Sequence, residues 1–334
     1  PGRPCRPATR RTLGRAGSIM NDTVLILSIA SAVVAATPIL FAALGEIITN
    51  RSGVMNLGVE GMMLVGAVVG FWAGNETGSL TAALIAGGLA GAGLALVHAV
   101  LAVHLRVDQT VSGLSLVILG GGLSSFIGTS GEPSLLSAPN GVTVTPLLPE
   151  AIRDIPVVGP VLLGHDVVVY LGLVAVAGAT YVLQRTAFGL SLRAVGEDPA
   201  AADAAGISVV RMRYLATAIG GLGAGVGGTY LTVAIVGTWQ NGLTAGIGWI
   251  AVALVILAGW RPWLAVLGAL AFGGLNGLGF TLQLAQVDVP SDFLKMMPFI
   301  AAYLVVSIVS GNPTRARRLA APAALAQPYA REIR

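Results

Sequence analysis

Several amides, hydroxyls and one carboxylate fall within stretches of sequence that are otherwise apolar. At such positions a polar group can hydrogen-bond a small polar molecule, a neighbouring helix or the carbonyls of its own helix. Asn276 is the strongest candidate for binding a molecule that carries hydroxyls, because its amide lies deep in a glycine-rich stretch. Asn56 can equally hold a helix break. The candidates are Asn56, Glu60, Ser112, Ser115, Asn276 and Gln283.

Glu60 is the one acidic residue that falls clearly within a predicted span, and Arg51 precedes it by a short stretch. A carboxylate at membrane depth can hold a proton or a cation, and ion-coupled transporters usually need one. It can also pair with an arginine or lie at the membrane interface. Because Arg51 is close in sequence, we favour an ion pair or an interfacial carboxylate over an ion site.

The sequence lacks the phosphate-binding motif of a nucleotide-binding subunit. A phosphate-binding P-loop needs Gly-Lys-Ser or Gly-Lys-Thr, and the only lysine is Lys295. The single cysteine, Cys5, excludes a disulfide framework and a cysteine metal site. His98 and His104 are expected at the membrane interface without a metal partner. No cofactor is therefore expected on this chain, and an energy source has to come from another subunit.

A polar interruption at 186–207 is predicted to form a loop followed by a short helix. Asp198 is a good N-cap and Pro199 suits the first helical position. The alanines that follow favour helix, and Gly206 can adopt the left-handed turn that ends it. A helix of about two turns is marginal in water. We therefore expect it to pack against its own domain or a second protein.

The rest of the chain predicts an all-α fold, a polytopic transmembrane helical bundle. Hydrophobic residues make up 55% and charged residues 10% of the sequence, and the mean hydropathy is +0.83. The 46 glycines, often close together, predict closely packed helices. About nine segments are long enough to span a bilayer: 24–45, 56–74, 80–103, 110–128, 167–184, 212–236, 243–260, 263–283 and 293–310.

The transmembrane bundle is expected to occupy residues 20–312, followed by a tail at 313–334. The longest connection, 129–165, is predicted to be an irregular or strand-like excursion outside the bilayer because prolines recur in it. The prolines are Pro133, Pro139, Pro146, Pro149, Pro156 and Pro160.

Basic residues predict the orientation. If the first span enters from outside, the basic residues in and after the first loop fall on the cytoplasmic side, as the positive-inside rule requires. Arg153 and Lys295 are the exceptions. The segment 186–207 and the C-terminus are then cytoplasmic, and Trp239, Trp260 and Trp263 lie near membrane boundaries. The arginines placed inside are Arg51, Arg106, Arg185, Arg193, Arg211, Arg213, Arg261, Arg315, Arg317 and Arg318.

Residues 1–19 disagree with this orientation because they hold five arginines. Met20 directly precedes the first span, so we hypothesise that translation naturally begins there and that 1–19 is not native. The alternative is a real cytoplasmic tail with an additional or re-entrant crossing. N-terminal sequencing of the native protein distinguishes the two.

Two stretches of sequence resemble a known family. Residues 50–66, Asn-Arg-Ser-Gly-Val-Met-Asn-Leu-Gly-Val-Glu-Gly-Met-Met-Leu-Val-Gly, are similar to the second-span signature of ABC importer permeases of the nucleoside and simple-sugar group. This group is related to ribose and branched-chain amino acid permeases. Residues 190–207 resemble the cytoplasmic coupling segment of the same family, and the likeness covers roughly 22–312. The family commonly has an asparagine where Asp198 stands, and either residue can cap.

The resemblance implies a permease subunit that forms a solute path in a bacterial-type plasma membrane. Its partners would be a cytoplasmic ATPase that binds ATP and Mg, an extracytoplasmic solute-binding lipoprotein and a second permease protomer, identical or related; no nucleic acid is implied. The residues expected to couple to the ATPase are Arg193, Gly196, Glu197, Asp198, Ala202, Asp203, Ala205 and Gly206.

Three classes of function remain open at this point. An ATP-driven importer of nucleosides or simple sugars leads, and an ion-coupled secondary transporter of a small polar solute is the alternative. A passive channel or a scaffold without transport activity comes last. ATP-dependent uptake, uptake that depends on an ion gradient, or flux that needs neither would distinguish them.

Overall fold

A computed structural model describes residues 10–130, 134–284 and 320–330, and scattered residues between 290 and 307. Side chains are described from residue 26 onward, except for 276 and 278–284 within the last long helix. Residues 1–9 of the N-terminal extension therefore lie outside the described part of the chain, as does half of the predicted span 293–310. Residues 10–19 form the start of the first helix.

The described chain is helical, with a single isolated bridge between Pro146 and Asp166. π-helical turns extend α3 at Val100–His104 and α9 at Leu231–Val236, and another lies at Gly159–Leu163. The helices are α1 Arg10–Arg51, α2 Val59–Thr77, α3 Leu80–Ala99, α4 Gln109–Ser130, α5 Glu150–Arg153, α6 Val167–Arg185, α7 Ala187–Glu197, α8 Pro199–Ala204, α9 Val209–Tyr230, α10 Ile247–Leu257 and α11 Pro262–Leu284.

Each predicted span from 24–45 to 263–283 coincides with a helix, which agrees with an all-α polytopic membrane protein. Within the described residues, five helices are long and apolar enough to cross a bilayer. They comprise Ile26–Arg51, Leu80–His104, Gln109–Ser130, Val167–Arg185 and Val209–Val236.

α10 is shorter than the predicted span 243–260. It has 11 residues, which corresponds to about 16 Å against a hydrocarbon core of about 30 Å. The preceding residues are irregular, and Gly237, Gly242 and Gly246 adopt positive φ angles there. Non-helical backbone at membrane depth has to be covered by protein, and α10 accordingly packs against α1 and α2.

Glycines bring the central helices into contact, as the sequence predicted. α9 packs against α1, α2 and α3. A Cβ atom on Gly66 of α2 would meet the backbone of Gly225 of α9, and a Cβ atom on Gly45 of α1 would meet the backbone of Gly220 of α9. Small residues allow this approach where lipid offers no hydrophobic force between helices.

The connection from 134 to 166 is irregular apart from α5 and one π-helical turn. It packs on the helix ends through Leu135 and Val142, which belong to an apolar cluster around Trp239. The Asn140 amide donates to the Val233 carbonyl oxygen at 2.7 Å. Contacts with the bundle therefore order this segment, and its place outside the bilayer stays a prediction.

Candidate functional site

The polar interruption at 186–207 forms two helices in sequence. Residues 187–197 were predicted as a loop, and this was wrong because they form α7. The Thr186 hydroxyl accepts a hydrogen bond from the Gly189 amide and so caps α7. Leu192 and Val195 are buried on one side of α7. The helical spacing of these apolar residues was the signal that sequence reasoning passed over.

The local geometry of α8 is as the sequence predicted. One Asp198 carboxylate oxygen accepts hydrogen bonds from the Ala200 and Ala201 amides, each at 3.0 Å. Pro199 occupies the first turn, and Gly206 has a φ of +85°. Capping at both ends allows a helix of 6 residues to persist without internal stabilisation.

α8 has a buried side and an exposed side. Ala202 is 3% exposed and packs with Val195 of α7 and Val209 of α9. Ala202 therefore faces its own chain and is not part of an exposed alanine surface. The exposed alanine face consists of Ala200, Ala201, Ala204 and Ala205.

The other residues predicted for coupling lie around this face. Gly196 lies so close to the Arg51 carbonyl that a Cβ atom would clash with it. Glu197 is exposed, and one of its oxygens accepts a hydrogen bond from the Ala323 amide at 3.2 Å. Arg193 and Asp203 are each partly buried. The structure therefore brings all of these residues to one end of the bundle.

A segment of the C-terminal tail, 320–330, lies alongside α7, which the sequence did not predict. The Ala324 amide donates to the Gly196 carbonyl at 2.9 Å. Arg213, only 1% exposed, donates to the Ser52 and Gln327 carbonyls at 3.3 and 3.1 Å. One buried guanidinium thus joins the end of α1, the start of α9 and the tail.

Glu60 does not pair with Arg51. One of its oxygens accepts from the Thr244 hydroxyl at 2.6 Å and the Gly246 amide at 2.8 Å, and the other accepts from the Gly248 amide at 2.7 Å. The carboxylate is 7% exposed and caps the N-terminus of α10, where the helix dipole favours a negative charge. Arg51 instead donates to the Trp260 carbonyl. The expected ion pair was wrong because backbone amides of a later segment reach Glu60.

Asn56 and Ser112 are both buried and hydrogen-bonded within the chain. The Asn56 carbonyl oxygen of the side chain accepts from the Gly58 amide at 3.0 Å, which shapes the turn before α2. Ser112 hydrogen-bonds to His98 at 3.0 Å, and the other ring nitrogen of His98 contacts the Met55 carbonyl. His98 is fully buried inside the bundle, and its place at the depth of the membrane interface stays a prediction.

The remaining solute-path candidates lie elsewhere. Ser115 is on the exposed side of α4, and its hydroxyl donates to the Val111 carbonyl one turn earlier. Asn276 and Gln283 belong to α11, but their side chains lie outside those that the structure describes.

Glu46 is a buried carboxylate that the span boundary 24–45 excluded. It lies within α1 and is 1% exposed. One oxygen accepts from the Asn56 amide at 3.2 Å, and the other has no partner among the described residues. The predicted span was too short because the apolar pattern ends before the helix does.

Comparison with known proteins identifies the family. A family described as the permease component of branched-chain amino acid transport systems matches residues 28–306. The chain belongs to this permease family. It shares 39% identity over 317 residues with a Haloferax volcanii protein assigned to glucose transport as an ABC transporter permease, covering 90% of this chain and 96% of that protein.

Two further relatives are named for nucleosides. A guanosine ABC transporter permease of Bacillus subtilis is 35% identical over 92% of this chain and 98% of its own length. A nucleoside ABC transporter permease of Lactococcus lactis is 33% identical over 88% and 95%. No solved structure matches the chain with statistical significance. The chain is the permease subunit of an ABC importer and not an ion-coupled secondary transporter.

Proposed function

We propose that this permease imports a nucleoside or a simple sugar. The names of three relatives that align over almost their whole lengths support this cargo class. The observation that carries the proposed mechanism is the exposed alanine face of α8, which is capped at both ends and anchored from beneath by Ala202. Such a surface is small enough to enter a groove and rigid enough to be moved as a unit.

In the proposed topology the chain crosses a bacterial-type plasma membrane about nine times, with the C-terminus in the cytoplasm. The distribution of arginines supports this orientation. The eight helices that coincide with predicted spans support the count up to residue 284. The irregular residues before α10 and α10 itself would together make the seventh crossing, covered by α1 and α2, and the chain would turn at Arg261 into α11.

The assembly would contain a cytoplasmic ATPase pair, which binds ATP and Mg and hydrolyses ATP, and an extracytoplasmic solute-binding lipoprotein. An ATPase pair presents two clefts, and this chain supplies one coupling segment at 186–207. A second permease protomer, identical or related, would therefore complete the transporter. The permease itself has no catalytic role in this scheme.

The exposed face of α8 would lie in a cleft of the ATPase, with Arg193, Glu197 and Asp203 as polar contacts around it. Movement of α8 would reach the bundle by two routes. Ala202 contacts Val209 at the start of α9, and Gly196 contacts the end of α1. Because α9 and α1 pack closely through glycines, a displacement at α8 would move helices and not only a loop.

The path candidates have three roles under this proposal. Asn56, Glu60 and Ser112 would shape the path through the bonds that they already make inside the chain. Asn276 and Gln283 of α11 would hydrogen-bond the solute, and Ser115 would face a second protomer or lipid from the exposed side of α4. Replacement of Asn276 by leucine should weaken uptake of a hydroxyl-bearing solute more than replacement of Ser115 by alanine.

The decisive experiment is uptake by proteoliposomes that contain this chain, its ATPase and its binding protein. Uptake is measured with labelled guanosine and labelled glucose. The uptake of each labelled compound is then measured again in the presence of an excess of the other compound without label. ATP-dependent uptake of one label identifies the cargo class. Uptake of neither compound, or uptake that persists without ATP, would contradict the proposal.

A further inference from the structure

A basic pocket of about 360 Å³ lies at the end of the bundle that carries α7. Four separate parts of the chain form it: the end of α1, the end of α6, the middle of α7 and the turn between α10 and α11. The residues that matter for its chemistry are Arg51, Gln184, Arg193, Trp260, Arg261 and Trp263. None of the residues that line it is acidic, so the pocket favours an anion.

The charges of the pocket are only partly compensated within the described part of the chain. Arg51 donates through Nε and Nη2 to the Trp260 carbonyl at 3.4 and 3.2 Å. Arg193 makes one long bond to its own helix, and the Arg261 guanidinium makes none to a described residue. Glu197 is the acidic residue whose charge acts on Arg51, but it does not line the pocket.

The wall of the pocket also holds a buried donor without an acceptor. Trp260 is 5% exposed, and its indole Nε1 has no hydrogen-bond partner among the described residues. Its backbone has a φ of +55°, which a bulky side chain rarely adopts and which has to be held by its surroundings. The two bonds from Arg51 supply that restraint. Trp260 lines the pocket together with Arg51, Arg193 and Arg261, and a cluster of three guanidiniums suits an oxyanion.

An apolar surface continues from the pocket along α11. Trp263 is 48% exposed and Leu267, one turn later, is 59% exposed. Tryptophan at a helix end is typical of the membrane interface, and arginine clusters at the cytoplasmic ends of spans attract phospholipid headgroups. We propose that this pocket binds the phosphodiester of an anionic phospholipid from the cytoplasmic leaflet, with an acyl chain lying along Trp263 and Leu267.

The test measures phosphatidylglycerol bound to the purified full-length chain in detergent, by native mass spectrometry, against phosphatidylcholine. The wild type should retain phosphatidylglycerol preferentially. Arg261→Gln removes one cationic contact and should weaken retention about fivefold, whereas Arg261→Lys should stay within about twofold of the wild type. Arg211→Gln is the matched control, because Arg211 is exposed near the same end of the bundle but does not line the pocket.

Further arms distinguish the source of the phosphate. Glycerophosphoglycerol carries the same phosphodiester without acyl chains and should compete only at far higher concentration. Competition at equal concentration would show a site for a soluble phosphate and overturn the lipid assignment. Equal retention by Arg261→Gln and the wild type, or no preference over phosphatidylcholine, would overturn the proposal. Displacement of the lipid by the ATPase would assign the pocket to the subunit interface instead.

If Arg261→Gln elutes as an aggregate, the same comparison is made with Arg193→Gln, which removes a cation from another wall of the pocket. The expected loss is again about fivefold. Retention equal to that of the wild type would overturn the proposal in this variant as well.

Discussion

The two ends of the bundle are closed in different ways. At one end, the 134–166 connection covers the helices with apolar side chains around Trp239, which is 1% exposed. At the other end, α8 packs through Ala202 on Val195 and Val209, and hydrogen bonds to backbone carbonyls, including those of the buried Arg213, join α7, α9 and the tail. The exposed alanines of α8 lie on this second framework.

The two kinds of contact constrain the orientation of the packed segments differently. Apolar packing is non-directional, so it covers helix ends without fixing one surface in one orientation. Hydrogen bonds to carbonyls are directional, so they fix α7 and the tail relative to α1 and α9, and Ala202 packs α8 on this framework. Under the proposed function, this orientation is what an ATPase needs in order to move the helices.

The largest effect is expected from a large charged side chain on the exposed alanine face. Ala205→Arg should abolish ATP-dependent uptake, because the side chain would not fit a groove that accepts alanine. Uptake into vesicles is measured together with the amount of inserted protein. Ala205→Ser is the matched control, since it stays small, and it should retain most of the activity. Normal uptake by Ala205→Arg would contradict the coupling role of this face.

At the opposite end, Trp239→Ala should destabilise the protein by about 3–5 kcal/mol, because it leaves a cavity beneath the connection. The change is measured as the loss of thermal stability in detergent. Trp72→Ala is the control: Trp72 is 51% exposed, so its removal should cost much less. Equal losses for the two variants would show that the apolar cluster does not stabilise this end.

Arg213→Met should release the tail from α7. The variant keeps the apolar stem but loses the hydrogen bonds to Ser52 and Gln327, at a cost of about 2–3 kcal/mol. Limited proteolysis should remove a C-terminal tag from this variant faster than from the wild type. Arg211→Met, which changes an exposed arginine two residues earlier, should show the wild-type rate. Identical rates for all three proteins would contradict the role of Arg213.

Asp198→Ala should give the smallest effect of the series. Loss of the cap costs a helix about 1 kcal/mol, which should lower uptake severalfold without abolishing it. Asp198→Asn keeps an oxygen acceptor for the Ala200 and Ala201 amides and should restore transport. Equal uptake by the alanine and asparagine variants would show that the cap is not needed.

Sequence patterns predicted the parts of this molecule that depend on local chemistry. The apolar segments predicted the helices, and Asp198, Pro199 and Gly206 predicted the ends of α8. Small residues predicted the close contacts among the helices, such as Gly66 with Gly225. Each of these features depends on neighbours in sequence or on residue size alone.

The features that sequence patterns missed depend on distant parts of the chain. Glu60 meets a backbone segment that follows it by more than 180 residues, so Arg51 looked like its natural partner. Arg213 appeared to be one of several cytoplasmic arginines, because its partner at Gln327 lies in the tail. Long-range pairing of polar groups leaves no periodic signal in a single sequence.

The central claim is that the ATPase binds the exposed face of α8, and labelling of single cysteines tests it most directly. Cys5 is the only cysteine in the sequence, so it is changed to serine, and one cysteine is placed at Ala205 or at Leu147. Leu147 lies in the 134–166 connection and is 54% exposed. In nanodiscs open on both sides, adding the ATPase should protect Ala205→Cys from maleimide and leave Leu147→Cys unchanged. Equal labelling of Ala205→Cys with and without the ATPase would contradict the account.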